Sequence, residues 1–180
     1  ASINIVSKHI NGSDANYLLR PGTCEITTTN GYFGVTNSFT LLDNVPYHVA
    51  GVYDGATLKY YVNGCLTGSV AATGNLIQND YETSIANRED CECEQFVGYV
   101  DEVRIWNIAR APAEIQGNMN NLPSPTTQTG LLAYYKFEGS YVNAQGNPAW
   151  NGNPIGAVTM TSNPFYTAAI QTVTTQLASI

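Results

Sequence analysis

The sequence predicts an all-β fold: a sandwich of two antiparallel sheets with one short helix. Three observations predict it. Short apolar stretches recur with Gly, Asn and Asp turn signals closely spaced between them, the pattern of a β-sandwich. Charged residues make up only 12% of the 180, whereas Tyr, Thr, Asn and Gly are abundant, a balance that suits an extracellular β domain better than a cytosolic enzyme. Helix signals are confined to one segment, opened by Pro112.

Ile3 to Val6, Asn16 to Leu19, Cys24 to Thr28 and Gly31 to Phe39 are short strand candidates separated by Gly and Asn. Val45 to Tyr53 is apolar on both faces, so it belongs between two layers. Asp54-Gly55 is a turn signal, and Leu58, Tyr60 and Val62 then alternate with Lys59 and Tyr61. Asn63-Gly64 is a strong two-residue hairpin signal, because both positions need positive φ, and Cys65 to Val70 returns antiparallel. A three-strand meander follows. Asn75 to Glu94 is polar and acidic and reads as loop. Tyr99 to Trp106 alternates as a strand with Tyr99, Asp101, Val103 and Ile105 on one face, so a carboxylate points toward an apolar layer. That charge must be paired or bound.

Pro112 can open a helix because its missing N–H is unpaired there, and Glu114 favours the first turn through the helix dipole. Gly117 and the asparagines after it end the helix. Leu122 to Gly130 reads as an internal linker. Leu131 to Phe137 is a further strand with Leu131, Ala133, Tyr135 and Phe137 on one face. The Thr-rich end is an edge strand or a tail. The length suits one domain spanning residues 1–180.

A net charge of −7 argues against nucleic acid and anionic membrane as partners. No apolar run is long enough to span a bilayer, so no membrane insertion is expected, and the N-terminus shows no signal peptide. Cys24, Cys65, Cys91 and Cys93 are consistent with two disulfides in an oxidising compartment, with three pairings open. Zinc is the rival reading, but Cys-x-Cys is a poor zinc spacing and only His9 and His48 are available to join it.

Tyr47-His48-Val49-Ala50-Gly51-Val52-Tyr53-Asp54-Gly55, Leu58-Lys59-Tyr60-Tyr61-Val62-Asn63-Gly64 and Phe96 to Asn107 occur in order, preceded by Ile5-Val6-Ser7-Lys8 and followed by Gly130 to Gly139. Together they resemble the laminin G-like jelly-roll domains of the concanavalin A-like lectin/glucanase superfamily. The resemblance implies a jelly-roll sandwich. It also implies strands upstream of Val6-Ser7-Lys8, which this chain lacks. Such strands come from a longer polypeptide, from a neighbouring chain or domain, or from the C-terminal part after Leu131, since proteins cover long sheet edges.

The resemblance turns Asp101 into a candidate ligand for a structural Ca2+, with Glu138 and the Gly139 carbonyl as companions; otherwise Asp101 accepts hydrogen bonds from loop amides. The acidic run Glu89 to Glu94 places Asp90, Glu92 and Glu94 on one face if extended, an echo of glucanase carboxylates. It equally reads as a disulfide-pinned loop, or as a second calcium site through Asp90 or Glu92. Tyr32, Tyr81, Tyr141 and Trp150 lie in Gly- and Asn-rich surroundings and are the best candidates for ligand contact. Asn11-Gly12-Ser13 matches a glycosylation sequon. The expected function is a non-catalytic adhesion or recognition module of a secreted or cell-surface protein, binding carbohydrate or protein. The alternatives are a structural subunit of a surface assembly or filament completed by strand exchange, and a glycoside hydrolase of the glucanase type.

Overall fold

A computed structural model describes residues 3–9, 15–88, 94–156 and 158–161. Ten strands, β1 (Val6–Lys8), β2 (Tyr17–Arg20), β3 (Thr23–Thr28), β4 (Gly31–Thr36), β5 (Val49–Tyr53), β6 (Thr57–Val62), β7 (Cys65–Ala71), β8 (Ser84–Ile85), β9 (Val103–Trp106) and β10 (Leu131–Tyr135), accompany one helix, α1 (Pro112–Gly117), among the described residues. All strand pairs are antiparallel, in sheets ordered β4-β3-β2-β1-β8, β5-β6-β7 and β10-β9. The all-β, jelly-roll expectation holds.

Local chemistry sets the hairpins. Pro21 and Gly22 join β2 to β3, with Arg20 paired to Thr23 across the turn. Asn63 (φ 48°) and Gly64 (φ 77°) both take positive φ between β6 and β7, as the sequence predicts. A Cβ at residue 64 would also lie 2.8 Å from the Gln116 Cβ, so α1 is able to approach this turn only because it is glycine. Asp54 Oδ1 accepts from the backbone N–H groups of Ala56 and Thr57 and closes the turn before β6.

The first two sheets pack face to face. Cys24, Ile26 and Val35 from the five-stranded sheet meet Leu58, Tyr60 and Val62 from the meander. The fully buried Tyr60 hydroxyl donates to the Arg20 carbonyl at 2.9 Å and accepts the Gly22 N–H at 3.0 Å, which bolts the meander to the β2–β3 turn. The other meander face buries Val52 and Tyr61 against Ile115 of α1. Glu114 starts that helix by accepting the Ala111 N–H at 2.8 Å. Sheet β9–β10 has a core of its own, built from Leu122, Leu131 and Tyr134 with Trp106 and Ala144.

Several boundaries differ from the sequence reading. The first strand covers Val6–Lys8 rather than Ile3 to Val6, and β5 starts at Val49 rather than Val45. The stretch read as loop between Asn75 and Glu94 contains β8, which pairs Ile85 with Val6. The stretch 122–130 carries the buried Leu122 and a 3-10 turn at Pro125–Thr127. The strand read from Tyr99 begins only at Val103, because Glu102 adopts φ 55° and breaks the alternation. Asp101 therefore does not share a strand face with Val103 and Ile105. β10 ends at Tyr135 for the same reason: Phe137 has φ 55°.

The Cys24 thiol is free and buried, and the Cys65 thiol is free and exposed, so neither enters the expected disulfide framework. Cys91, Cys93, Asp90 and Glu92, together with the sequon at Asn11, lie outside the described residues.

Candidate functional site

A groove of about 2290 Å³ runs between the five-stranded sheet and the β9–β10 sheet. One wall comes from Lys8 and Tyr17 on β1 and β2 with the segment through Tyr81 and Ile85; the other comes from Ile105 and Trp106 on β9 and from Leu132 and Tyr135 on β10. Three of the four aromatic candidates line this groove: Tyr81, Tyr141 and Trp150. Tyr32 does not. It sits on strand β4, not in a loop, and is 52% exposed.

The wall beyond β10 is an aromatic cluster. The rings of Tyr135 and Phe137 lie nearly parallel at 5.9 Å and 14°, and Tyr141 meets Phe137 edge-on at 6.4 Å. Two devices hold this cluster. Phe137 adopts a left-handed backbone, which costs a non-glycine residue of order 1–3 kcal/mol. The sequence shows the residue but not the turn that aims its ring. The second device is asparagine chemistry. Asn143, 1% exposed, accepts the N–H groups of Tyr134 (2.9 Å) and Gln145 (3.1 Å), and its own N–H donates to Asn151 Oδ1 at 2.9 Å. Gly152 N–H donates to the Tyr141 carbonyl at 2.7 Å, and the Tyr135 hydroxyl donates to the Trp150 carbonyl at 2.7 Å. The loop carrying Tyr141 and Trp150 is thereby stapled back onto β10.

The calcium candidates Asp101, Glu138 and Gly139 also line the groove. Asp101 Oδ1 accepts the Glu102 N–H at 3.0 Å, the loop-amide role named as its alternative. No group of three or more His, Cys, Asp or Glu side chains among the described residues is placed to hold a metal. Two carboxylates and carbonyl oxygens are the donor set on offer to a hard cation.

The Glu102 carboxylate, 11% exposed, is drawn into a polar cluster. It is buried against Arg104 Nη2, accepts the Tyr134 hydroxyl at 2.5 Å, and lies under the β9–β10 sheet rather than in the groove. Burial pushes its carboxyl above the usual range, opposed by the Tyr134 hydrogen bond and the Arg104 charge. The Arg104 guanidinium sits 4.7 Å over the Tyr134 ring and donates to the Met119 carbonyl. This cluster braces β9 to β10. His48, beside it, has its pKa lowered to about 4, first by burial and then by Arg104.

Of the acidic run, Glu94 is described. Its carboxylate receives Asn4 Nδ2 at 2.9 Å, Arg20 Nη2 at 3.3 Å and Arg88 Nη1 at 3.5 Å. It ties the β1–β2 region to the segment after β8 and faces cations, not the groove.

No curated protein matches this chain. A solved structure from Bacteroides ovatus, to which carbohydrate binding is ascribed, superposes with a TM-score of 0.63 at 23% identity, covering 80% of this chain and 45% of its own. This chain thus spans less than half of that protein. Residues 221–444 of an S-layer domain-containing protein from Clostridium thermocellum align at 23% identity over 53% of this chain and 49% of their own, with a TM-score of 0.31. The Laminin_G_3 family profile matches residues 5–116, from β1 through α1. The chain belongs to this family, of the concanavalin A-like lectin/glucanases superfamily.

Proposed function

We propose that this chain is a non-catalytic carbohydrate-binding module of a secreted or cell-surface protein and that it holds its ligand in the groove between the two sheets. The observation that carries this reading is the assembly of Tyr135, Phe137, Tyr141 and Trp150 on one wall. Aromatic rings offer sugars an apolar face, and tyrosine and tryptophan add a polar tip. All four lie beyond residue 116, outside the family match, so the family scaffold carries the recognition wall as an extension. The carbohydrate binding ascribed to the Bacteroides ovatus protein agrees with this reading.

The test is retention of the full chain on a panel of immobilised polysaccharides. The chain is retained by at least one polymer, Phe137→Ala and Trp150→Ala weaken retention about tenfold or more, and Tyr32→Ala does not. A folded chain retained by none of the panel overturns the reading.

Calcium enters as a proposal for the same rim. Asp101 and Glu138, with the Gly139 carbonyl, would grip Ca2+ and stiffen the groove mouth. Calcium at millimolar concentration then raises the melting temperature, and Glu138→Gln removes the effect; an unchanged melting temperature removes the proposal.

A second reading has one observation behind it. The groove exceeds the roughly 300–1,000 Å³ of small-ligand sites, and its neighbour β8 is an edge strand of two residues. A strand from a neighbouring chain or domain would fit between the sheets and pair with that edge. Concentration-dependent growth in size supports this structural-subunit reading, and a monomer at every concentration refutes it.

A further inference from the structure

We infer that the groove carries a recess for the acetyl group of an acetylated sugar residue, an inference that rests on the carbohydrate-binding reading. A cavity of about 240 Å³ shares its lining with the groove. Ala86, Phe96 and Val158 form its apolar side, Thr159 and Thr161 bring hydroxyls, and Gly98 and Tyr99 complete it. The recess has a fixed base. Ala86, directly after β8, adopts φ 64°, a strained backbone of the kind that gathers at binding sites. Two backbone bonds hold it there: its N–H donates to the Ile5 carbonyl at 2.9 Å, and its carbonyl accepts the Phe96 N–H at 2.9 Å. Two residues before Phe96, the Glu94 carbonyl accepts the Asn4 N–H at 2.9 Å and ties the segment to the start of the chain. The Phe96 ring then lies against Gly98. A Cβ at residue 98 would stand 2.8 Å from that ring, so any side chain there forces the ring to shift and reshapes the recess.

The lining chooses the chemistry. No charged side chain is among its described residues, so the recess suits an uncharged group. An unsubstituted sugar presents hydroxyls around its rim, and those turned toward Ala86, Phe96 and Val158 would be left without partners. An acetyl group fits both halves of the lining. Its methyl meets the apolar side, and its carbonyl, which only accepts, meets the Thr159 and Thr161 hydroxyls, which donate. The size agrees. At about 240 Å³ the recess falls below the roughly 300–1,000 Å³ of small-ligand sites, which gives room for one substituted residue while the rest of the polymer follows the groove of about 2290 Å³.

The experiment is affinity electrophoresis of the full chain in gels containing acetylated glucomannan or the same polymer deacetylated with alkali, a pair that is uncharged throughout. The acetylated polymer binds at least about fivefold more tightly, the range of one hydrogen bond and a buried methyl. Thr159→Val, which removes one hydroxyl at constant shape, and Gly98→Ala, which moves the Phe96 ring, each bring that ratio toward one; Tyr32→Ala, on β4, leaves it as it is. Chitotetraose and cellotetraose, titrated in solution, distinguish the linkage. A preference for chitotetraose marks an amide-linked acetyl, a preference for acetylated glucomannan alone an ester-linked one, and a preference in neither pair overturns the inference. Both glucomannans bound equally, with that binding weakened by Trp150→Ala, leaves the groove as a glycan site without acetyl recognition. A ratio that survives Thr159→Val and Gly98→Ala, in chains that melt as the parent does, overturns the recess as its source. A chain that binds none of these ligands but is retained by another polysaccharide overturns this inference alone; one retained by nothing overturns the carbohydrate reading with it.

Discussion

Asn143→Ala is the perturbation whose cost the structure allows to be worked most fully. Asn143 is 1% exposed, and its side-chain oxygen accepts two backbone N–H groups, from Tyr134 at 2.9 Å and Gln145 at 3.1 Å. Its Nδ2 donates to the Asn147 carbonyl at 3.3 Å. Tyr134 is fully buried, so after truncation its N–H has no access to water, and a buried orphan donor costs about 1–3 kcal/mol. Gln145 lies nearer solvent, and the loss there is nearer the ordinary 0.5–1.5 kcal/mol or so of a replaced hydrogen bond. The expected destabilisation is about 2–4 kcal/mol, or roughly 5–15 °C in melting temperature for a chain of this size. Urea and thermal unfolding measure it, with an unchanged m-value confirming that the native state is what suffers. The loop bearing Tyr141 and Trp150 loosens as well, so glycan retention falls with stability. A variant within about 0.5 kcal/mol of the parent refutes the claim that asparagine bonding holds the aromatic wall.

His48 supplies a pH signature. Its folded pKa of about 4 lies below the unfolded value of 6.5, so between those limits the unfolded chain binds the extra proton; stability is complete above pH 6.5 and falls by roughly 2–3 kcal/mol as pH drops to 4, and His48→Gln flattens that slope, which pH-dependent urea melts read out. Gly51→Ala brings a Cβ within 2.3 Å of the Cys24 Sγ and is expected to cost about 1–3 kcal/mol by overpacking; a melting temperature equal to the parent's contradicts the tight sheet-to-sheet contact. Cys65 is exposed, whereas burial raises the Cys24 thiol to about 12, so a maleimide labels the Cys65 peptide in the native chain and the Cys24 peptide only after unfolding, as mass mapping will show. Glu94→Ala leaves Arg20 and Arg88 without their shared carboxylate and is expected to destabilise by about 2–4 kcal/mol, more than the exposed Asp54→Ala, in denaturant melts.

The sequence made the scaffold readable wherever structure is decided locally. Asn63-Gly64 needed two positive φ angles and has them. Leu58, Tyr60 and Val62 alternate because one face of β6 meets the opposing sheet, and Pro112 and Glu114 mark the start of α1 by groups that lie within the helix's first turn. What depended on distant partners was hidden. β8 is two residues long and exists only by pairing with Val6 and Ser7, so no periodicity announces it. A single left-handed residue, Glu102, reversed the reading of β9 and moved the buried carboxylate from Asp101 to Glu102 itself.

The candidate site was partly legible for the same reason. Gly- and Asn-rich surroundings singled out Tyr81, Tyr141 and Trp150, and all three line the groove; Tyr32 met the same description but belongs to β4, where neighbouring strands decide its direction. Leu131, Ala133, Tyr135 and Phe137 were read as one strand face, but the register shifts between Leu131 and Ala133. Leu131 therefore packs with Tyr134 in the core while Tyr135 lines the groove with Leu132. Phe137 lies beyond β10, and its stacking on Tyr135 depends on its own φ and on Asn143 stapling the loop beside them.

Both tryptophans of the chain, Trp106 and Trp150, line the groove, so intrinsic tryptophan fluorescence tests the central claim directly. Titration with soluble oligosaccharides cut from a polysaccharide that retains the chain is expected to give a saturable change in intensity and wavelength, lost in part in Trp150→Phe. A glycan that the chain retains but that leaves the tryptophan spectrum unmoved contradicts the groove as the place where recognition happens.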